Sequence, residues 1–242
     1  MGYEQKQNYK KIGLLGGMGA MSTADYYLGI IELHRKNFAD LNYPEIAIES
    51  VNFQNQISRG YRDYSSFYKA VRCLELSGCD FFLPACNSIH VLKRFWADDS
   101  IYWLDIIRPV AEEVRKKSVS KVLIIGTSFT IKSKIYDAAI RRAGAVLIYP
   151  TPKEMEKIDE YIYSDLVNKK PSAQCVEFFN KISLRYCLKH EVTGVVLACT
   201  ELRYIDFGEV LDATSVNFFD STEIHIHSAY QFSLQPSHER GI

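Results

Sequence analysis

Ile12-Gly-Leu-Leu-Gly16 and Val122-Leu-Ile-Ile-Gly126 are the two stretches on which the fold turns. Each is a short, unbroken apolar run that stops at a glycine. Each is followed by helical spacing, from about Ala20 to Phe38 in the first case and about Ile131 to Arg142 in the second. A strand with one wet face would alternate apolar and polar residues. An unbroken run is what a parallel strand covered by helices on both faces requires. The same rhythm continues outward. Ile46 to Phe53 and Phe81-Phe-Leu-Pro84 read as further strands, with an amphipathic helix from Tyr61 to Ser77 between them and a helix starting near Asn87. Val146 to Tyr149 and Gly194-Val-Val-Leu-Ala198 read as strands separated by helical segments at Glu154 to Asn168 and Ser172 to His190. A last strand, Val216 to Phe219, leads into a helix from about Thr222 to Phe232. Strand alternating with helix predicts an α/β fold built on parallel sheets.

The two halves repeat one plan. Each opens on a strand ending in glycine, and each later has an apolar strand running into a cysteine followed by two polar residues. These are Cys86-Asn87-Ser88, 70 residues after Gly16, and Cys199-Thr200-Glu201, 73 residues after Gly126. We expect a first domain of residues 1–107 joined by about 215–235, and a second of residues 108–214.

Composition narrows the function. The 242 residues are 47% apolar and 24% charged, an ordinary globular mix. Lysine plus arginine equals aspartate plus glutamate at 29 each, so no global field favours nucleic acid or an anionic membrane. Met1 to Lys11 is polar and lacks the apolar core of a secretory signal, and no apolar run approaches a bilayer's length. The expected setting is a reducing cytoplasm, where the six cysteines stay thiols. They contain no Cys-x-x-Cys pair, so no metal site is expected.

In open parallel sheets ligands bind beyond the carboxyl ends of the strands, where Cys86 and Cys199 both fall. A helix start there would offer free N–H groups that favour a thiolate, so both thiols are expected to have lowered pKa values. Asn87, Ser88 and Thr200 suit helix caps and equally suit a carboxylate ligand. Glu201 fits the first turn of a helix. Gly16-Gly-Met-Gly-Ala-Met-Ser-Thr23 is a glycine-rich turn that lacks the lysine of a P-loop and the third glycine of a dinucleotide fingerprint. Only Glu49, at the end of the second strand, keeps a dinucleotide in play. Arg59, in a loop after that strand, is placed to grip a carboxylate through two hydrogen bonds. Lys157 reads on spacing alone as a surface residue.

Gly16-Gly-Met-Gly with Ser22-Thr23, Pro84-Ala-Cys-Asn-Ser-Ile-His90 and Leu197-Ala-Cys-Thr-Glu201 together resemble the aspartate/glutamate racemase superfamily, and its aspartate racemase branch most closely. Glu201 stands where glutamate racemases usually have histidine. The resemblance runs from about Lys11 to Phe232. It implies two pseudo-symmetric Rossmann-like domains with the active site in the cleft between them, often in a homodimer. It implies Cys86 and Cys199 as the two acid/base residues, with no cofactor. Met18 and Gly19 would line the site, and Asn87, Ser88, Thr200 and Glu201 would bind substrate, with Thr127 in the same set. Arg59 and Lys157 are the nearest matches to the family's side-chain carboxylate ligands. Ala85, Ser88, Ala20 and Ala198 depart from the usual residues without removing a chemical group. The implied reaction is the interconversion of L- and D-aspartate. The alternatives are a broader amino-acid or glutamate racemase, a hydantoin racemase or decarboxylase relative, and a non-catalytic small-molecule binder.

Overall fold

The computed structural model describes residues 9–38, 41–58, 64–96 and 100–236. The chain forms two compact units. The first takes residues 1–85, 92–105 and 225–242, and the second takes 86–91 and 106–224.

The first unit is built on a parallel sheet of β1 (Ile12–Gly16), β2 (Ile46–Ser50), β3 (Phe81–Pro84) and β4 (Tyr102–Trp103), in the order β2-β1-β3-β4. Side chains alternate across the pleat, so each strand feeds two cores. Ile12, Leu14, Phe81 and Leu83 point to one face, onto Tyr26 and Ile30 of α1 (Ala20–Asn37). Phe82 points to the other, among Phe67, Trp96 and Trp103. Phe67 lies on α3 (Tyr64–Leu76), which follows a short α2 (Phe53–Ser58). The expected loop after the second strand is therefore a helix as far as Ser58. Arg59 and the expected helix start at Tyr61 lie outside the described residues.

The second unit repeats the plan with β5 (Lys121–Ile125), β6 (Val146–Ile148), β7 (Gly194–Leu197) and β8 (Asn217–Asp220), ordered β6-β5-β7-β8 and all parallel. Leu123, Ile125, Val195 and Leu197 pack under α7 (Pro152–Ser164) and α8 (Ala173–His190). Val122, Ile124 and Val196 pack on the opposite face with α4 (Ile107–Lys116), α5 (Ser128–Ser133) and α6 (Asp137–Arg142). Each fully buried side chain of this kind is worth about 1.5–3 kcal/mol. The chain completes its elements with α9 (Gly208–Ala213) and α10 (Ser221–Ser233).

Three expectations are revised. The helix read over 131–142 is two helices, because Lys134 takes a left-handed φ of 56° and closes α5. The strand near Val216 stays in the second unit: it runs parallel to β7, with Phe219 in that unit's core, and only the chain from His225 belongs to the first. The helices expected after both cysteines are 3₁₀ segments, Ser88–Phe95 and Thr200–Tyr204. Among the described residues no helix is long and apolar enough to cross a membrane.

Strand β5 ends against the chain leaving β7. A Cβ added at Gly126 would stand 2.6 Å from the Ala198 carbonyl oxygen, a backbone atom with no room to yield. Gly126→Ala is expected to lose about 1–3 kcal/mol of stability in urea unfolding. An unchanged midpoint would show that β5 and β7 separate freely there.

Candidate active site

Both cysteines arise in the same way. Ala85 N–H donates to Leu15 O at 2.9 Å, and Ala198 N–H to Ile125 O at 2.7 Å, so each ladder runs one residue past its strand. The next residue leaves the sheet, and it is Cys86 in one case and Cys199 in the other. Residues 86–91 pack with the second unit, so the two thiols belong to one compact body.

The expectation of lowered thiol pKa values is reversed. The Ile89 and Ser88 amides and the Ser88 hydroxyl do act to favour the Cys86 thiolate. Burial outweighs them, since Cys86 is only 5% exposed, and pushes its thiol up to about 12, with the Glu201 charge adding to the rise. Cys199 is raised well above the ordinary thiol value, first by burial and then by Glu201. Its Sγ donates to Glu201 Oε2 at 3.0 Å, and Thr200 Oγ1 donates to the same oxygen at 2.7 Å. The single 3₁₀ turn after Cys199 brings one amide, that of Glu201, against these opposing effects.

The surrounding polar groups interlock. Asn87 Nδ2 donates to Ser221 Oγ at 3.1 Å, and Ser221 donates onward to Leu197 O at 2.6 Å. The Tyr136 hydroxyl donates to Asn87 Oδ1, so both ends of the amide are engaged. Ser88, Thr127 and Thr130 form a triangle of hydroxyls 2.8–3.4 Å apart, all buried. Thr127 also caps α5, accepting from Thr130 N–H at 3.3 Å. His90 bonds the Cys86 carbonyl at 2.9 Å and the Ile106 amide at 3.1 Å.

Met18 and Gly19 sit in the first unit's glycine turn. There Gly17 has a φ of +89°, its N–H donates to Thr23 Oγ1 at 2.9 Å, and Thr23 Oγ1 donates to Gly19 O at 3.0 Å. Lys157 is engaged on its own helix, paired with Glu160 at 2.7 Å and over the Tyr161 ring. Arg59 lies outside the described residues. Sequence reasoning missed Thr130, Tyr136 and Ser221. Thr130 was open to discovery, three residues beyond Thr127 at a helix start. Tyr136 was not, because the turn at Lys134 is what brings it to Asn87. Among the described residues no three His, Cys, Asp or Glu side chains gather as a metal site.

The family model described as Asp/Glu/Hydantoin racemase matches residues 15–229. The chain belongs to the Asp/Glu/hydantoin racemase family. This racemase-family chain is 29% identical to an aspartate racemase homologue from Pyrococcus horikoshii OT3, with a TM-score of 0.74, over 93% of this chain and 100% of that one. It is 29% identical over 146 residues to the broad specificity amino-acid racemase RacX of Bacillus subtilis (strain 168), a match covering 57% of this chain and 63% of that protein, less than two thirds of its length. It is 24% identical over 198 residues to the glutamate racemase of Aquifex aeolicus (strain VF5), covering 78% of this chain and 74% of that protein.

Glu201 raises both thiols, so its removal has a definite sign. A carboxylate repels a nearby thiolate and also accepts from the neutral Cys199 thiol. In the Glu201→Gln variant of this racemase-family chain, both cysteines are expected to ionise at lower pH than in the parent. Alkylation rates followed across a pH series, resolved by peptide mass spectrometry, check this. Unmoved or upward-moving profiles would remove Glu201 from control of the thiols.

Proposed function

We propose that the chain is a cofactor-independent racemase interconverting L- and D-aspartate through Cys86 and Cys199. The observation that carries the reading is the thiol pair, two buried cysteines that follow matched strand ends and belong to one compact unit. Family membership supports amino-acid racemisation, and the similarity to the Pyrococcus homologue favours aspartate.

In this reading one cysteine, as thiolate, takes the α-proton, and its electron pair stays on the α-carbon and spreads into the carboxylate. The opposite thiol delivers its own proton to the other face. The second sulfur is then the thiolate, and the same pair carries the reverse reaction. Each placed proton transfer contributes roughly 10²–10⁴-fold. The raised thiols set a condition on the chemistry, namely that substrate must lower the cost of a thiolate. An α-ammonium group brought near Glu201 does this by offsetting its charge. Asn87, Ser88, Thr127 and Thr200 are the proposed ligands of the α-carboxylate and ammonium, with Met18 and Gly19 as the proposed lining. Arg59 and Lys157 are the proposed ligands of the side-chain carboxylate. For Lys157 this means exchanging its exposed pairing with Glu160 for the ligand. The reading carries with it a cytoplasmic homodimer acting on a free amino acid.

A broad-specificity racemase is the second reading, favoured by the similarity to RacX. Incubation of L-aspartate, L-glutamate and neutral L-amino acids in D₂O, followed by chiral chromatography, separates the two. Aspartate turning over well ahead of the rest supports the first reading, and comparable rates across the panel support the second.

Cys86→Ala and Cys199→Ala are each expected to abolish racemisation without unfolding the chain. Near-full activity in either would sink the two-thiol mechanism. Arg59→Ala is expected to raise KM for aspartate more than for alanine, and an equal effect on both would remove Arg59 from side-chain recognition.

A further inference from the structure

His90 is 3% exposed, and the directions of two of its ring contacts are forced. The Ile106 amide, 3.1 Å from Nε2, has only a proton to give, so Nε2 accepts. The Cys86 carbonyl, 2.9 Å from Nδ1, has only lone pairs, so Nδ1 carries the hydrogen. The ring is therefore neutral and held in the Nδ1–H tautomer. The backbone of the same residue closes the turn, with His90 N–H donating to Asn87 O at 3.1 Å. Cys86 and Asn87 thus both present their carbonyls to His90. The Ser88 and Ile89 amides of the intervening chain favour the Cys86 thiolate.

We propose that His90 is a positioning residue for Cys86, using one fixed tautomer to hold the Cys86 carbonyl and so fix the turn that carries the sulfur. The proposal rests on the reading of Cys86 as an acid/base residue. His90 acts through that turn and takes no proton from substrate. The titratable groups facing Cys86 are Glu201 and Cys199, and neither is altered by changing His90.

Two variants separate the functions of the ring. In His90→Asn the amide nitrogen stands near the Nδ1 position and keeps the donor to Cys86. In His90→Gln the amide reaches the Nε2 position, keeping an acceptor for Ile106 and losing that donor. Iodoacetamide alkylation of the intact chain, resolved by peptide mass spectrometry, follows Cys86 and Cys199 separately across a pH series. His90→Asn is expected to keep the Cys86 profile and most of kcat. His90→Gln is expected to move Cys86 alkylation to higher pH and lower kcat on the order of 10²-fold with KM little changed. The Cys199 profile should hold in both. Identical behaviour of the two variants, or joint movement of Cys86 and Cys199, overturns the proposal. Whether or not the variants fold, ¹⁵N chemical shifts of the parent His90 ring must report the Nδ1–H tautomer, and an Nε2–H or doubly protonated ring overturns it too. If the parent racemises nothing while Cys86 still separates Asn from Gln, the positioning role stands and the racemase reading falls. If the parent racemises and the two variants do not separate, the racemase reading stands and the positioning role falls.

Discussion

A thiolate is most costly where water is absent, and Cys86 and Cys199 are only 5% and 8% exposed. The Ser88 and Ile89 amides and the Ser88 hydroxyl near Cys86, and the Glu201 amide near Cys199, lower that cost without overcoming it. Glu201 tips the balance further, because its carboxylate repels either thiolate. The resting site therefore holds neutral thiols, and its polar surroundings have to be read from that starting point. In the proposed reaction it is the substrate's ammonium that changes the ionisation, coupling occupancy to reactivity.

Dry surroundings also dictate how the neighbouring side chains are tied. A buried polar group left without a partner costs about 1–3 kcal/mol, and Asn87, Ser88, Thr127, Thr130 and Thr200 are each engaged by another side chain. Asn87 is bolted to the end of β7 through Ser221 and to α5–α6 through Tyr136. Ser88 is shared with Thr127 and Thr130, at the start of the helix that follows β5. The sheet supplies the rigid frame for these ties. β5 and β7 come together where Gly126 faces Ala198, and the chain turns out of the sheet one residue later at Cys199. A network held this closely leaves few alternative rotamers for the groups that face a ligand.

What the sequence made legible was the periodic part. Unbroken runs such as Phe81–Pro84 and Gly194–Leu197 are strands because both faces are covered, and the matched spacing of the two halves appears as the same relative strand order in each sheet. The two cysteines were legible for the same reason, as residues following runs of defined length. The failures were all local and tertiary. Nothing in composition distinguishes a 3₁₀ turn after Cys86 from an α-helix, and the lowered thiol pKa expected from a helix start gave way to desolvation. The strand at Asn217–Asp220 reads identically for either sheet, and it is its pairing with β7 that decides. Tyr136 reaches Asn87 only because Lys134 adopts a left-handed conformation that no residue preference announces.

The repeat is not an equal one, and the inequality lies two residues after each cysteine. Ser88 follows Cys86 at that position and Glu201 follows Cys199. A hydroxyl donates to a sulfur anion and lowers its cost, whereas a carboxylate accepts from the neutral thiol and raises it. Local chemistry thus favours Cys86 as the sulfur that gives up its proton first and Cys199 as the one that keeps it. In a racemisation the two must exchange these states at every turnover, so one direction begins from the favoured ionisation and the other from its reverse. The asymmetry is anchored by Glu201, which is bonded at once to the Cys199 thiol and to Thr200.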